Sequence, residues 1–85
     1  MVWTQDYYDA LVVKAKTVLV DLGLLIARDC KLGRSSNTNL DLLLYASNLL
    51  NALKYGVLIF QDDHYDYINE QVQILYNRCR KYRTV

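Results

Sequence analysis

The residues best able to do chemistry fall in two clusters on one stretch of chain. Asp62-Asp63-His64-Tyr65-Asp66, with Glu70 a turn later, is the densest polar run in the 85 residues. Such a run of donors suits a divalent cation. An EF-hand loop, however, alternates its oxygen ligands and turns on a glycine, and this run has neither that spacing nor the glycine. Zinc asks for several His or Cys ligands, and His64 is the only histidine. Acidic residues at the start of a helix oppose its dipole, so Asp62 or Asp63 is read as a cap. No metal or other cofactor is expected.

The second cluster is Arg78, Arg80, Lys81 and Arg83. Four bases together suit phosphate, from a nucleic acid or a membrane surface. They also suit the last turn of a helix, whose carbonyl end attracts cations. The formal net charge is +1, and no second basic stripe or aromatic platform reinforces the patch. Nucleic-acid binding through these four residues is therefore the alternative reading, in a small regulatory helical bundle. Asp29 falls on the core side of its helix, where it can pair with Arg34 or a C-terminal arginine, or cap a loop. The sequence shows no Ser-His-Asp set, no Cys beside a His, no glycine-rich phosphate loop and no paired carboxylates in an apolar setting. An enzyme is not expected. Cys30 and Cys79 make no disulfide framework. Both lie on or beside apolar helix faces and read as buried thiols.

The elements that must carry these clusters are helices. From Asp6 to Lys31, Tyr8, Leu11, Val12, Ala15, Val18, Leu19, Leu22, Leu25 and Ile26 recur with helical period on one face. Lys14, Thr17, Asp21 and Arg28 form a polar stripe. A second, narrower apolar set follows: Val13, Val20, Leu24 and Ala27. A helix with two apolar faces needs two coverings, and a partner chain or a folded-back terminus is the candidate for the second. Thr4 reads as the N-cap, with Trp3 stapled onto the first turn. Gly23 lies inside the helix, where it would let a neighbouring helix approach closely. Gly33 reads as the left-handed stop.

Gly33-Arg34-Ser35-Ser36-Asn37 has loop composition. Thr38 to Asp41 then reads as a capping box, placing a second helix over about 39–55. Its apolar side is Leu42, Leu43, Tyr45, Ala46, Leu49, Leu50, Ala52 and Leu53. Its polar side is Asp41, Ser47, Asn48, Asn51 and Lys54. Val57-Leu58-Ile59-Phe60 reads as one more helical turn or an extended connector, and Gly56 before it and Asp62-Asp63 after it favour the connector. A third helix over about 63–82 carries a single apolar stripe: Tyr65, Ile68, Val72, Leu75, Tyr76, Cys79 and Tyr82. Tyr67 and Ile74 lie off it, facing outward.

The expected fold is all-α: one domain, a three-helix up-down-up bundle with short connections. The first helix spans about 5–32, and Cys30 and Cys79 come to the same end. The chain is near the lower size limit for burying its own core. Its hydrophobic fraction, 53%, leaves surplus apolar surface, which favours self-association or burial in a larger assembly. Eight tyrosines suit surfaces that are partly buried and partly wet, as at protein contacts. The longest apolar run, Val18–Ala27, is too short to cross a bilayer, and the N-terminus lacks the pattern of a secretory signal. A cytoplasmic protein, or one assembled there into a particle, is expected. The expected partners are other protein chains, through Val13, Val20, Leu24, Ala27, Tyr67 and Ile74.

One longer pattern spans residues 40–82. A helix ends at Leu53-Lys54-Tyr55-Gly56, an apolar tether Val57-Leu58-Ile59 follows, and Asp62-Asp63 caps a Tyr-rich helix. This layout resembles the small all-helical head–tail connector or adaptor subunits of tailed-phage virions. The resemblance implies a structural subunit of a particle. Such subunits insert extended arms into their neighbours, and here only the termini and the Gly33–Asn37 loop would serve.

Overall fold

The computed structural model describes residues 3–55 and 62–83. Three helices form: α1 (Gln5–Lys31), α2 (Asn37–Tyr55) and α3 (Asp62–Arg83). No strand occurs among the described residues. The expected Val57–Phe60 connector lies outside them.

The start of α1 follows its sequence signals. Thr4 is extended, and its hydroxyl oxygen accepts the Tyr7 N–H at 3.4 Å. Trp3 meets the Tyr7 ring edge-on, with centroids 6.2 Å apart. The end of α1 is a Schellman turn. The Arg34 N–H donates to the Asp29 carbonyl at 2.8 Å and the Gly33 N–H to the Cys30 carbonyl at 3.2 Å. Gly33 takes φ 70° to allow this, a conformation that costs any residue with a Cβ.

α2 begins two residues before its expected start. The Leu40 N–H donates to the Ser36 carbonyl at 2.8 Å, which draws Asn37 and Thr38 into the first turn. The expected cap at Thr38–Asp41 therefore lies inside the helix. The reason is Asp29. Its Oδ2 accepts from Asn39 Nδ2 at 2.9 Å and from Ser36 Oγ at 3.4 Å. The carboxylate thus binds the end of α1 to the first turn of α2 and closes the loop.

Contacts across the bundle fix the direction of each helix. Trp3 Nε1 donates to Asp66 Oδ1 at 2.8 Å, and the Tyr8 hydroxyl donates to the Leu53 carbonyl at 2.8 Å. The start of α1 therefore meets the end of α2 and the start of α3. Asp29 meets the start of α2 at the other end, which gives up-down-up order. α1 packs on both other helices and is their common partner. Its 27 residues, at about 1.5 Å each, reach nearly the full 44 Å length of the molecule.

The core is one cluster. Leu11, Ala15, Val18 and Leu22 of α1 meet Ala46, Leu49, Leu50 and Leu53 of α2. Tyr65, Ile68, Val72, Leu75 and Cys79 of α3 complete it. Tyr8, Val12, Leu19, Leu25 and Tyr76 sit half-buried at its edge. The side chains of Tyr82 and Arg83 lie outside the described set.

Three expectations are corrected. Asp21, placed on the polar stripe, is buried, with 4% exposure. It lies two turns beyond Lys14, whose Nζ donates to Gln73 Oε1 of α3 at 2.6 Å. That flank of α1 is thus the seam with α3 rather than solvent. Cys30 is exposed, and only Cys79 is buried. The last turn of α1 runs past the core, leaving Arg28, Cys30 and Lys31 outside it. Gly23 is exposed, and a Cβ there would meet nothing within 4 Å. It admits no neighbouring helix.

Candidate interaction surfaces

The outer face of α1 lies opposite its core face. Val13, Val20 and Leu24 are 63%, 62% and 61% exposed, and Ala27 is exposed beside them. Helical spacing puts the four on one side. Shallow grooves run along it. One of about 420 Å3 lies between Ala10, Val13, Thr17 and Tyr76, and one of about 320 Å3 between Val13, Lys16, Thr17 and Val20. The Tyr76 ring borders the first groove, and both Lys14 Nζ and the Arg80 guanidinium lie over it, 5.4 and 5.7 Å from its centroid.

Tyr67 and Ile74 of α3 are 57% and 56% exposed, but they do not join the α1 surface. α1 meets α3 along Gln73 and Tyr76. Tyr67 lies on the α2 side instead, beside Tyr45, whose hydroxyl donates to Gln71 Oε1 at 3.1 Å. Partial burial, and then the hydrogen bond and charge of Tyr67, push the Tyr45 phenol up from its usual value. The predicted contact residues thus divide between two flanks of the bundle.

A third outward pair was missed. Leu40 and Leu44 of α2 are 44% and 65% exposed. They stand one turn apart, and the same helical wheel that separated Val13 and Val20 from the α1 core would have separated them.

The acidic cluster is spread through local structure. Asp66 takes the Trp3 indole N–H. Asp63 Oδ1 accepts the His64 N–H at 3.0 Å and lies 3.5 Å from His64 Nδ1. Among the described residues no group of three or more His, Cys, Asp or Glu side chains could hold a metal ion.

The basic cluster is also redistributed. Arg80 lies over Tyr76, whereas Arg78 and Lys81 line a recess of about 460 Å3 at the far end of the bundle. Arg28 from the last turn of α1 and Arg34 from the loop line it too. The second basic contribution that the linear sequence does not display is therefore present in three dimensions. Its signal was the topology: parallel α1 and α3 bring their basic last turns together. No helix among the described residues is long and apolar enough to cross a membrane. Against protein-family models, curated proteins and solved structures, the chain finds no match.

Proposed function

We propose that the chain is a non-enzymatic assembly subunit that binds other protein chains, further copies of itself first, through the outer face of α1. The observation that carries this is the run Val13, Val20 and Leu24, three branched aliphatic side chains each more than 60% exposed on one side of the longest helix. Scattered exposed apolar residues need no explanation. A row of exposed apolar side chains bordered by grooves is the form an interface takes, and here Lys16 and Thr17 stand between Val13 and Val20. Tyr67 and Ile74, on a different flank, supply a second contact and so permit a subunit with two neighbours. The likeness to tailed-phage connector subunits, which rests on the sequence pattern alone, fits such a repeated subunit of a particle.

The test is molar mass by light scattering over a concentration series, for the native chain and for Val20→Asp plus Leu24→Asp. The native chain is expected to form a defined oligomer and the double variant to remain a folded monomer. A native chain that stays monomeric at high concentration would reject self-assembly, and a variant that still associates would reject this face.

The rival reading is nucleic-acid binding. One observation favours it: Arg78 and Lys81 share their recess with Arg28 and Arg34. Duplex DNA would then bind at low salt and be lost steeply as salt rises, by a log–log slope of roughly −0.9 per phosphate contacted.

A further inference from the structure

We infer that the recess at the far end of the bundle is a binding site for a small phosphorylated polyol, such as a sugar monophosphate. Arg28, Arg34, Arg78 and Lys81 line it, against the single carboxylate of Asp29. These four cations come from α1, the loop and α3, in a chain whose formal net charge is +1. Asp29 offsets one of the four charges, its Oδ2 being held by Asn39 and Ser36, and the lining stays net positive. Helix-end electrostatics would place bases in the last turns of α1 and α3. They do not account for Arg34, which follows the Schellman turn and belongs to neither helix.

The remaining lining specifies more than charge. Ser35 and Thr38 offer hydroxyls, and the first turn of α2 holds no acidic residue. Such a helix start favours phosphate. Asn39 also lines the recess, and its Oδ1 is buried with no hydrogen-bond partner among the described residues. A buried carbonyl oxygen of that kind calls for a donor, which the phosphate group of a dianionic ester lacks and a polyol hydroxyl supplies. Leu25 is the one apolar residue in the lining, and no aromatic ring is present to stack a base. At about 460 Å3, the recess lies within the range of small-ligand sites, roughly 300–1,000 Å3. The site is separate from the outer face of α1, so it stands or falls independently of assembly there.

The experiment is isothermal titration calorimetry of the full chain with glucose 6-phosphate, inorganic phosphate and random-sequence duplex DNA. Saturable one-to-one binding of the sugar phosphate, at least several-fold tighter than inorganic phosphate, is expected. Arg34→Ala should weaken it about tenfold, the scale of one lost charge-assisted hydrogen bond. Arg80→Ala, outside the recess, should leave it unchanged. Circular dichroism of both variants checks the fold. Heat that never saturates, equal weakening by the two variants, or inorganic phosphate binding as tightly as the ester would each overturn the proposal. Displacement of the ester by duplex DNA would overturn it in favour of a nucleic-acid surface.

Discussion

The two ends of the bundle are built on opposite principles. At one end Trp3 lies 5.6 Å from the Tyr65 ring centroid and edge-on to Tyr7. Tyr8 meets Tyr65 edge-on at 6.2 Å. Two hydrogen bonds, Trp3 to Asp66 and Tyr8 to the Leu53 carbonyl, tie all three helices there. At the other end four cations stand around an open recess. Aromatic contacts add roughly 0.5–1.5 kcal/mol per pair beyond their burial, whereas like charges brought together reduce stability. One end therefore supplies cohesion, and the other presents an open, largely cationic surface.

The comparison is broken most severely by removing what the aromatic end encloses. Leu53 is fully buried, and its carbonyl receives the Tyr8 hydroxyl. Leu53→Ala should cost about 3 kcal/mol, the middle of the range for a buried leucine. Urea denaturation would show it as a lower midpoint with an unchanged slope. A cost under 1 kcal/mol would mean that this end collapses around the cavity and is not the rigid one.

Trp3→Ala comes next. It removes two ring contacts and the bond to Asp66. A loss of about 2 kcal/mol is expected by thermal unfolding. Since Trp3 is the only tryptophan, its fluorescence in the native chain reports this end alone. That signal should change together with the helical circular dichroism when the bundle unfolds cooperatively. An earlier fluorescence transition would show the aromatic end to be the weaker one.

Gly23, inside α1, and Gly33, just beyond its end, give opposite signs. At Gly33, φ is +70° and a Cβ would meet nothing within 4 Å, so the cost of Gly33→Ala is backbone strain alone, about 1–2 kcal/mol. At Gly23 the backbone is helical and the surroundings are equally open. Gly23→Ala should stabilise by up to about 1 kcal/mol. A Gly23→Ala variant no more stable than the native chain would point to a neighbour at that position in an assembly.

How far the sequence disclosed this arrangement depends on whether a signal was local. Thr4, Gly33 and the apolar stripes act within one turn or one helix, and they placed the helices and the core residues of α1 and α3. The start of α2 was misplaced because it answers to Asp29, ten residues from Asn39 and on another helix. Asp21 and Cys30 were misassigned for a related reason: the period of a helix gives its faces but not which flank a neighbour covers or where the core stops. The recess was the least visible feature. Arg28 and Arg34 are separated from Arg78 by most of the chain, and only the parallel course of α1 and α3 makes them neighbours.

The smallest expected effect is at the open end. Arg34 is exposed and its side chain stands among like charges, while its structural contribution is the backbone N–H bonded to Asp29. Arg34→Ala keeps that bond and relieves repulsion. Its effect on stability should stay within about 0.5 kcal/mol, the usual bound for a surface change. At low ionic strength it should be stabilising, and the gain should fade as salt screens the cluster over a Debye length of about 10 Å at 0.1 M. A destabilisation above 1 kcal/mol that salt did not alter would mean that the Arg34 side chain holds the loop together. The two ends would then be alike in kind, both serving cohesion, and the recess would lose its claim to be a surface kept open for a ligand.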